Sequence, residues 1–375
     1  MWLPSSVARL QNHQGPVRRL SISWSGWLPE TFPESILRSP LLDKLQEFEL
    51  YANSSFPLSV LGIIPVLRVL FISRVQSSVE IAGTFNFSSL KQLALTDAEI
   101  SDTALHCILS RCPVLESLVL DRIQGCSRLQ ISSSTLRSLG VANGGKSGGR
   151  KLEELIIEHA PLLERLIPQI SCYGLVIRVI KAPKLRTLGY LQDDIPTFEF
   201  GTMVFESMMP ISMSNIMRSV KILALLTAPN LDLVTGLLRC FPCVEKLYIV
   251  SYTRMIYKNM QCYAPLECLD QHLKRLQITN YEEKRADVNF VKFFVLNARV
   301  LESVKLIVRT ENCDAKWTAR QHRKLQVNNR ASHGARFEFE ARKWSPSSAH
   351  MKHIHDLAMD PFDISSCRCH DVAFH

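Results

Sequence analysis

Apolar residues recur along this chain in the pattern Leu-x-x-Leu-x-Leu, whose alternation is typical of a half-buried β-strand. Residues 90–95 are the clearest copy. Similar segments, with conservative replacements, begin at Val17, Leu45, Leu67, Leu115, Leu136, Leu152, Leu185, Val220, Val244, Leu273 and Leu301. Most starts are 21 to 29 residues apart. Such a regular return predicts a supersecondary unit that is repeated along the chain.

One unit indicates how the chain folds between two copies of the pattern. After the strand at 90–95, Ser101 is a suitable N-cap for a helix over residues 102–110, and Pro113 ends that helix before the next strand begins at Leu115. Comparable helices are predicted after the strands that begin at Val220 and Leu273. Strand, helix and parallel strand at this period are typical of a leucine-rich repeat, which buries its apolar face only by stacking on its neighbours. The predicted fold class is therefore an α/β leucine-rich-repeat solenoid. A curved parallel sheet lies on its concave side, with helices and irregular turns on the convex side.

The repeats are irregular in the middle of the chain and stop after Val308. The starts at Leu136 and Leu152 are too close for a full helical return, so loops or short 3₁₀ turns are expected there, with an extra strand at 173–180. Residues 324–327 and 336–340 are expected to form a closing hairpin. The predicted divisions are a first repeat and cap (1–40), the repeats (41–260), C-terminal repeats with the hairpin (261–342) and a flexible tail (343–375).

Composition narrows the class of protein. Hydrophobic residues make up 46% of the 375 residues, enough for a sizeable core. The net charge is +9, but the basic residues form no block, so we do not expect nucleic acid as a partner. No apolar run is long enough to cross a bilayer, and the N-terminus lacks a signal sequence. We therefore expect no membrane partner, a cytoplasmic or nuclear location, and reduced thiols at the eleven cysteines.

Several short motifs resemble catalytic or metal sites, but their contexts argue against each one. The loop from Gly140 to Ser147 fits the P-loop expression, and residues 145–149 fit a nucleophile elbow, yet paired glycines follow where a helix should begin. Cys240 and Cys243 lack a second pair at zinc-site spacing, and Cys367, Cys369 and His370 lie in the predicted tail. We expect no enzyme activity, no cofactor and no metal.

The outward positions of the repeat strands are the remaining candidate site. On the late strands the outward residues Lys246, Tyr248, Arg275, Gln277 and Lys305 form a basic, partly aromatic set. Tyr and Arg are common anchors of protein interfaces, and the concave face is the usual binding surface of solenoids. These five residues are predicted to bind an acidic segment of a protein target; the alternative is a merely solvated charged face.

Parts of the sequence resemble a known family. Residues 268–276, 290–294 and 297–302 are similar to the FBD segment of plant F-box/LRR proteins, residues 112–118, 152–155 and 161–166 resemble that family's repeats, and residues 353–357 with 360–362 are similar to the tails of its grass members. Members typically carry an N-terminal F-box that docks onto a cullin-type ubiquitin ligase, while the repeats select the substrate. Here the repeats begin near Val17, which leaves about sixteen residues for an F-box, so the F-box is expected to be absent from this chain.

The resemblance implies a non-enzymatic interaction scaffold, similar to the substrate-recognition subunit of an SCF-type ubiquitin ligase. Ligase components would be partners if an F-box is supplied elsewhere. Two alternatives stay open at this point. One is a stand-alone or truncated repeat module with no ligase docking. The other is a nucleotide-binding enzyme that uses the loop from Gly140 to Ser147.

Overall fold

The structure, a computed structural model, describes residues 15–24, 39–52, 64–74, 87–144, 150–169, 172–211, 216–252, 265–308, 313–341 and 351–363. The chain divides into two compact units. The first consists of residues 1–163, 171–182 and 351–359, and the second of residues 164–170, 183–350 and 360–375.

The strands of the described residues, in chain order, are β1 (Arg19–Trp24), β2 (Glu47–Ala52), β3 (Val69–Ser73), β4 (Gln92–Thr96), β5 (Ser117–Asp121), β6 (Arg128–Ser132), β7 (Ser138–Ala142), β8 (Glu154–His159), β9 (Arg165–Pro168), β10 (Val176–Val179), β11 (Thr187–Gln192), β12 (Thr197–Phe200), β13 (Met203–Glu206), β14 (Met209–Pro210), β15 (Ile222–Thr227), β16 (Lys246–Ser251), β17 (Arg275–Tyr281), β18 (Ser303–Val308) and β19 (Arg336–Ala341). The α-helices are α1 (Asp102–Ser110), α2 (Leu231–Cys240), α3 (Glu267–Gln271), α4 (Arg285–Asn297), α5 (Ala315–Lys324) and α6 (Met351–His355), with 3₁₀ turns at Pro40–Leu42 and Val327–Asn329. No helix of these residues is long and apolar enough to cross a membrane.

The main sheet of the first unit is parallel and built from the predicted repeat strands. β1 to β5 pair in order, and β5 then pairs with β7. The register places equivalent leucines side by side, so that Leu93 neighbours Leu118 and Leu118 neighbours Leu139. All three are at most 1% exposed. This ladder of inward leucines is the core that stacking was expected to build.

Helix α1 confirms the predicted repeat helix at both ends. The Ser101 side chain accepts a hydrogen bond from the Ala104 backbone N–H at 3.2 Å and so caps the first turn. Ala104, Leu105 and Ile108 are buried along one face, as the sequence period requires. The predicted helices after the strands that begin at Val220 and Leu273 are α2 and α4.

The second unit contains a similar parallel series. β9 pairs with β11, β11 with β15, and β15 to β19 then pair in order. The predicted closing hairpin is wrong. Lys324 ends helix α5, and β19 adds to β18 in parallel as a further strand. Helix α5 connects β18 to β19. The arrangement of strand, helix and parallel strand therefore continues through residues that lack the leucine pattern.

Helix α5 is strongly polar and is held largely by one acidic side chain. The Glu283 carboxylate accepts hydrogen bonds from Trp317 Nε1 and Gln321 Nε2, both at 2.5 Å. Lys324 Nζ lies 3.1 Å from the same carboxylate, and the Trp317 ring packs edge-on against Phe339 of β19. These contacts attach α5 to the end of the second unit.

The middle of the chain forms strands where loops or 3₁₀ turns were expected. In the first unit β8 pairs in parallel with β6 and with β10, which lies within the predicted extra strand at 173–180. β8 therefore belongs to a second sheet, although Leu152 begins a copy of the repeat pattern. In the second unit β12, β13 and β14 pair antiparallel. The connections between successive repeat strands are too short here for helices. Additional strands form the backbone hydrogen bonds instead.

Candidate protein-binding site

The five outward residues predicted to bind a partner are brought together in the second unit, and we call them the strip: Lys246, Tyr248, Arg275, Gln277 and Lys305. Strand register places Lys246 beside Arg275, and it places Tyr248, Gln277 and Lys305 in one row across β16, β17 and β18. Alternation sends the intervening Leu247 and Leu276 into the core, where both are fully buried. The five residues therefore lie at neighbouring outward positions, and their binding of a partner stays a prediction.

The strip carries a segment of protein, and that segment belongs to the same chain. Residues 360–363 lie against it. Lys246 Nζ is 2.8 Å from Asp360 Oδ2, and the Tyr248 hydroxyl donates to the same oxygen at 2.9 Å. Arg275 Nη1 is 2.7 Å from Asp363 Oδ2. Two carboxylates, three residues apart, therefore bind Lys246, Arg275 and the Tyr248 phenol of the strip.

Phe362, between these carboxylates, is the apolar centre of the contact. Its ring lies 5.6 Å from the Tyr248 ring and 5.0 Å from the Tyr190 ring, measured between centroids, and the residue is 2% exposed. The other Asp360 oxygen accepts from the Phe362 backbone N–H at 3.2 Å. Asp360 thus binds the strip with one oxygen and shapes with the other the turn that presents Phe362.

Burial decides which of these interactions dominates. The Lys246 and Arg275 side chains are 34% and 40% exposed. Ion pairs of that kind contribute about 0–1 kcal/mol each because water and salt screen them. Full burial of a phenylalanine side chain stabilises by about 1.5–3 kcal/mol. Phe362 is the main anchor, and the carboxylates supply orientation and charge selectivity.

The electrostatics of the site keep the phenol in its donor form. Burial, and then the neighbouring Asp360 carboxylate, raise the pKa of Tyr248 well above its usual value. The hydroxyl therefore stays protonated at physiological pH and donates to the carboxylate. Tyr248 is itself only 2% exposed, so it forms the floor of the site.

Gln277 and Lys305 complete the strip on β17 and β18. Gln277 is 6% exposed between Tyr248 and Lys305. Lys305 Nζ lies 2.6 Å from a Glu340 carboxylate oxygen on β19. This ion pair partly neutralises the Lys305 charge, while Lys246 and Arg275 hold the carboxylates of Asp360 and Asp363.

In the first unit, residues 353–355 cover the corresponding outward face of β4, β5 and β7. Ser138 Oγ donates to the Ile354 carbonyl at 2.8 Å, and Ser117 Oγ forms a 2.8 Å hydrogen bond with His355 Nδ1. Burial lowers the pKa of His355 to about 4, so the ring is neutral at physiological pH. Residues 353–355, which belong to the predicted flexible tail at 343–375, are therefore packed against the first unit; positions 342–350 and 364–375 lie outside the described residues.

Gly140 makes room for this contact. A Cβ at Gly140 would lie 2.6 Å from Ile354 Cδ1 and 3.2 Å from its Cγ2. Gly140 is inside β7 and pairs with Val119 of β5, so the first glycine of the P-loop expression belongs to a strand. Lys146 and Ser147 fall outside the described residues. The local geometry gives Gly140 a packing role instead of a place in a phosphate loop.

The cysteines with metal-like spacing lie in another part of the second unit. Cys240 and Cys243 are buried free thiols, and burial raises the pKa of Cys240. Cys243, Glu267 and His272 have ligand atoms within 4.8 Å of one another. Arg218, however, holds both Glu267 oxygens, at 2.6 and 3.1 Å. A metal ion would have to displace this guanidinium. We therefore interpret Cys243, Glu267 and His272 as part of an ion-pair cluster with Arg218. Cys367, Cys369 and His370 lie outside the described residues.

Sequence reasoning located the strip but missed what occupies it. The tail carried a usable signal: Asp360 and Asp363 flank Phe362, which is the acidic and aromatic chemistry predicted for the partner. Nothing in the strand period links residues about 90 to 115 positions apart, so the connection required the fold.

Two family models match the chain. The model described as "FBD-associated F-box protein At5g56370, LRR repeats" matches residues 34–249, and the model described as "FBD" matches residues 264–306. A search of curated proteins found no match. The leucine-rich-repeat match, together with the parallel sheets, confirms the predicted α/β repeat solenoid class. Domains of these two kinds are generally non-enzymatic interaction modules.

Proposed function

Because the chain belongs to the family of FBD-associated F-box proteins with leucine-rich repeats, we propose that it selects protein substrates for an SCF-type ubiquitin ligase. In this proposal the strip binds the target, no catalysis takes place on the chain, and the protein works in the cytoplasm or nucleus. Docking to the ligase requires an F-box supplied with or beside these repeats.

A single observation carries the choice of surface. Lys246, Tyr248 and Arg275 already hold a protein segment through two carboxylates and a buried aromatic ring. A merely solvated charged face would leave Tyr248 exposed and its hydroxyl in water. The contact supports the strip as a surface that fits acidic protein segments with defined geometry.

The proposal is tested by affinity purification of the tagged full chain from cell extract, with quantitative mass spectrometry. The strip variant carries Lys246→Glu and Arg275→Glu. The matched control carries Lys292→Glu and Arg299→Glu, which reverse two charges on or just after α4. We expect the strip variant to lose at least about tenfold of its specific partners and the control to retain them, since oppositely charged groups set interface specificity.

The ligase part of the proposal has a separate readout in the same experiment. Through an F-box supplied with or beside the repeats, cullin and its adaptor should co-purify with wild type and with both variants, because neither pair of substitutions changes the F-box. Partners without cullin would favour the stand-alone interaction module. Equal recovery of all partners by the strip variant and the control would exclude the strip as the target-binding surface.

A further inference from the structure

Residues 360–363 show which chemical groups the strip can bind. The segment presents an aromatic ring between two carboxylates, and each feature has its own receptor group on the repeat face. Asp360 meets Lys246 and Tyr248, Phe362 meets Tyr190 and Tyr248, and Asp363 meets Arg275. Pro361 is buried in the turn between them.

Resting on the proposed function, we propose that the target of the strip is a protein segment with an aromatic residue between two carboxylates spaced three positions apart. We further infer that residues 360–363 occupy the same site in cis and compete with that segment. Residues 360–363 thus have the same chemical groups as the partner segment and also block its binding site.

The chemistry of the contact selects this class of partner over others. Two cations at neighbouring positions on β16 and β17 require negative charge at both ends of the ligand. The Tyr190 and Tyr248 rings between them favour an aromatic side chain, because tilted and edge-on ring pairs are the preferred arrangement. A nucleic acid would supply charge and rings, but the Tyr248 phenol and Lys246 share a single carboxylate oxygen in a turn, which a protein backbone provides.

The cis contact is of a kind that a partner can displace. Its two ion pairs are partly exposed to solvent, and one buried ring holds the segment. Because the tail is part of the same chain, its effective concentration at the strip is high. It therefore prevents weak ligands from binding, but a partner with additional contacts can displace it. In the first unit, Ile354 and His355 anchor the preceding residues separately, which keeps the segment attached to the protein after 360–363 is released.

The experiment uses a fluorescent peptide with the sequence of residues 356–363, Asp-Leu-Ala-Met-Asp-Pro-Phe-Asp, and the full chain in three forms plus one control variant. These are wild type, a tail variant with Phe362→Ala and Asp363→Asn, and the tail variant with Arg275→Glu added. The tail variant with Lys292→Glu is the charge-matched control. A peptide in which alanine replaces the phenylalanine is the ligand control. Anisotropy titrations at low and high salt measure affinity.

We expect the peptide to bind the tail variant at least about tenfold more tightly than wild type, because the tail no longer competes in cis. Arg275→Glu should weaken binding at least about tenfold, the Lys292→Glu control should stay within about twofold, and the alanine peptide should not bind. High salt should weaken the specific complex. If the tail variant unfolds, Asp363→Asn alone, which leaves Phe362 in place, should still tighten peptide binding.

Two results would overturn the inference. Equal peptide affinity for wild type and the tail variants means that the tail does not compete. Binding unaffected by Arg275→Glu means that the peptide lies elsewhere. The proposed function fails separately: if the peptide behaves as expected but no cellular partner depends on Lys246 and Arg275, the chemistry of the strip holds and its role in target selection does not. If partners depend on the strip equally in wild type and the tail variant, target selection holds and cis competition does not.

Discussion

A double-mutant cycle between Gly140 and Ile354 tests whether the C-terminal segment is seated as described. Replacing Gly140 by alanine places a methyl group 2.6 Å from Ile354 Cδ1. Overpacking of this kind costs about 1–3 kcal/mol. The lower end is expected because Cδ1 is the end of a flexible side chain. Alanine also favours the strand over glycine by about 0.5–1 kcal/mol, but that gain is the same whether the segment is docked or released.

The complementary change, Ile354→Val, removes Cδ1. Alone it should weaken docking by about 0.5–1.5 kcal/mol, the usual cost of one buried methylene. In the Gly140→Ala background it removes the most crowded atom and leaves Cγ2 of residue 354 at 3.2 Å and Val119 Cγ2 at 3.4 Å from the new Cβ. The double variant should therefore dock about as well as Ile354→Val alone. The two changes should couple favourably by at least about 1 kcal/mol, within the range for residues in contact.

Hydrogen exchange of the backbone amides in residues 353–359, followed by mass spectrometry, gives the free energy of local opening directly. This measurement separates release of the segment from global unfolding. A global unfolding measurement would also include the stabilisation of β7 by alanine in place of glycine. Amides of β5 and β7 serve as internal controls and should keep their protection. Additive effects of the two substitutions, within about 0.5 kcal/mol, would refute the seating of Ile354 on Gly140.

Three further outcomes are expected. Leu118→Ala, at a side chain that is 1% exposed, should lower the free energy of unfolding by about 2–5 kcal/mol in denaturant melts; a shift below about 0.5 kcal/mol, typical of surface sites, would contradict its inward position. Glu283→Gln should cost about 1–3 kcal/mol, since charge-assisted hydrogen bonds from Trp317 and Gln321 become neutral ones; hydrogen exchange should rise in α5, and unchanged protection there would exclude the role of Glu283. Because the pKa of His355 is about 4 when docked against an ordinary value of 6.5, the released segment binds more protons between these values. The contribution of neutral His355 to docking of residues 353–359 is then fully present above about pH 6.5 and decreases as the pH falls toward 4; equal opening free energies at pH 7 and pH 5 would show that His355 is not buried in the docked state.

The parts of the fold that the sequence predicted are those where one local rule decides the structure. The Ser101 cap, the helix that follows it and the parallel pairing of the leucine strands depend on nearest neighbours along the chain. Hydrophobic period and capping chemistry act at that range. The positions of Lys246, Tyr248 and Arg275 followed from the same period, since outward residues of stacked strands must be adjacent.

The errors arose where tertiary pairing overrode the local pattern. Residues 336–341 alternate like a hairpin strand, but they pair in parallel with β18 because helix α5 intervenes. Leu152 begins a copy of the repeat pattern, whereas β8, which follows it, pairs with β6 and β10 in a second sheet. The polar C-terminal segment gave no period at all, since its contacts are with strands far away in the sequence. Propensity is a weak guide when packing partners are remote.

The covered sheet faces have a practical consequence for handling the protein. Beneath Ile354 the first unit presents Val119 and Gly140, and beneath Phe362 the second unit presents the Tyr248 ring beside Lys246 and Arg275. A chain shortened before residue 351 would open these apolar positions to solvent, and contiguous apolar surface promotes self-association. Preparations lacking the last 25 residues should therefore be prone to aggregation. An affinity tag is better placed at the N-terminus, where it cannot pull the segment from its seat.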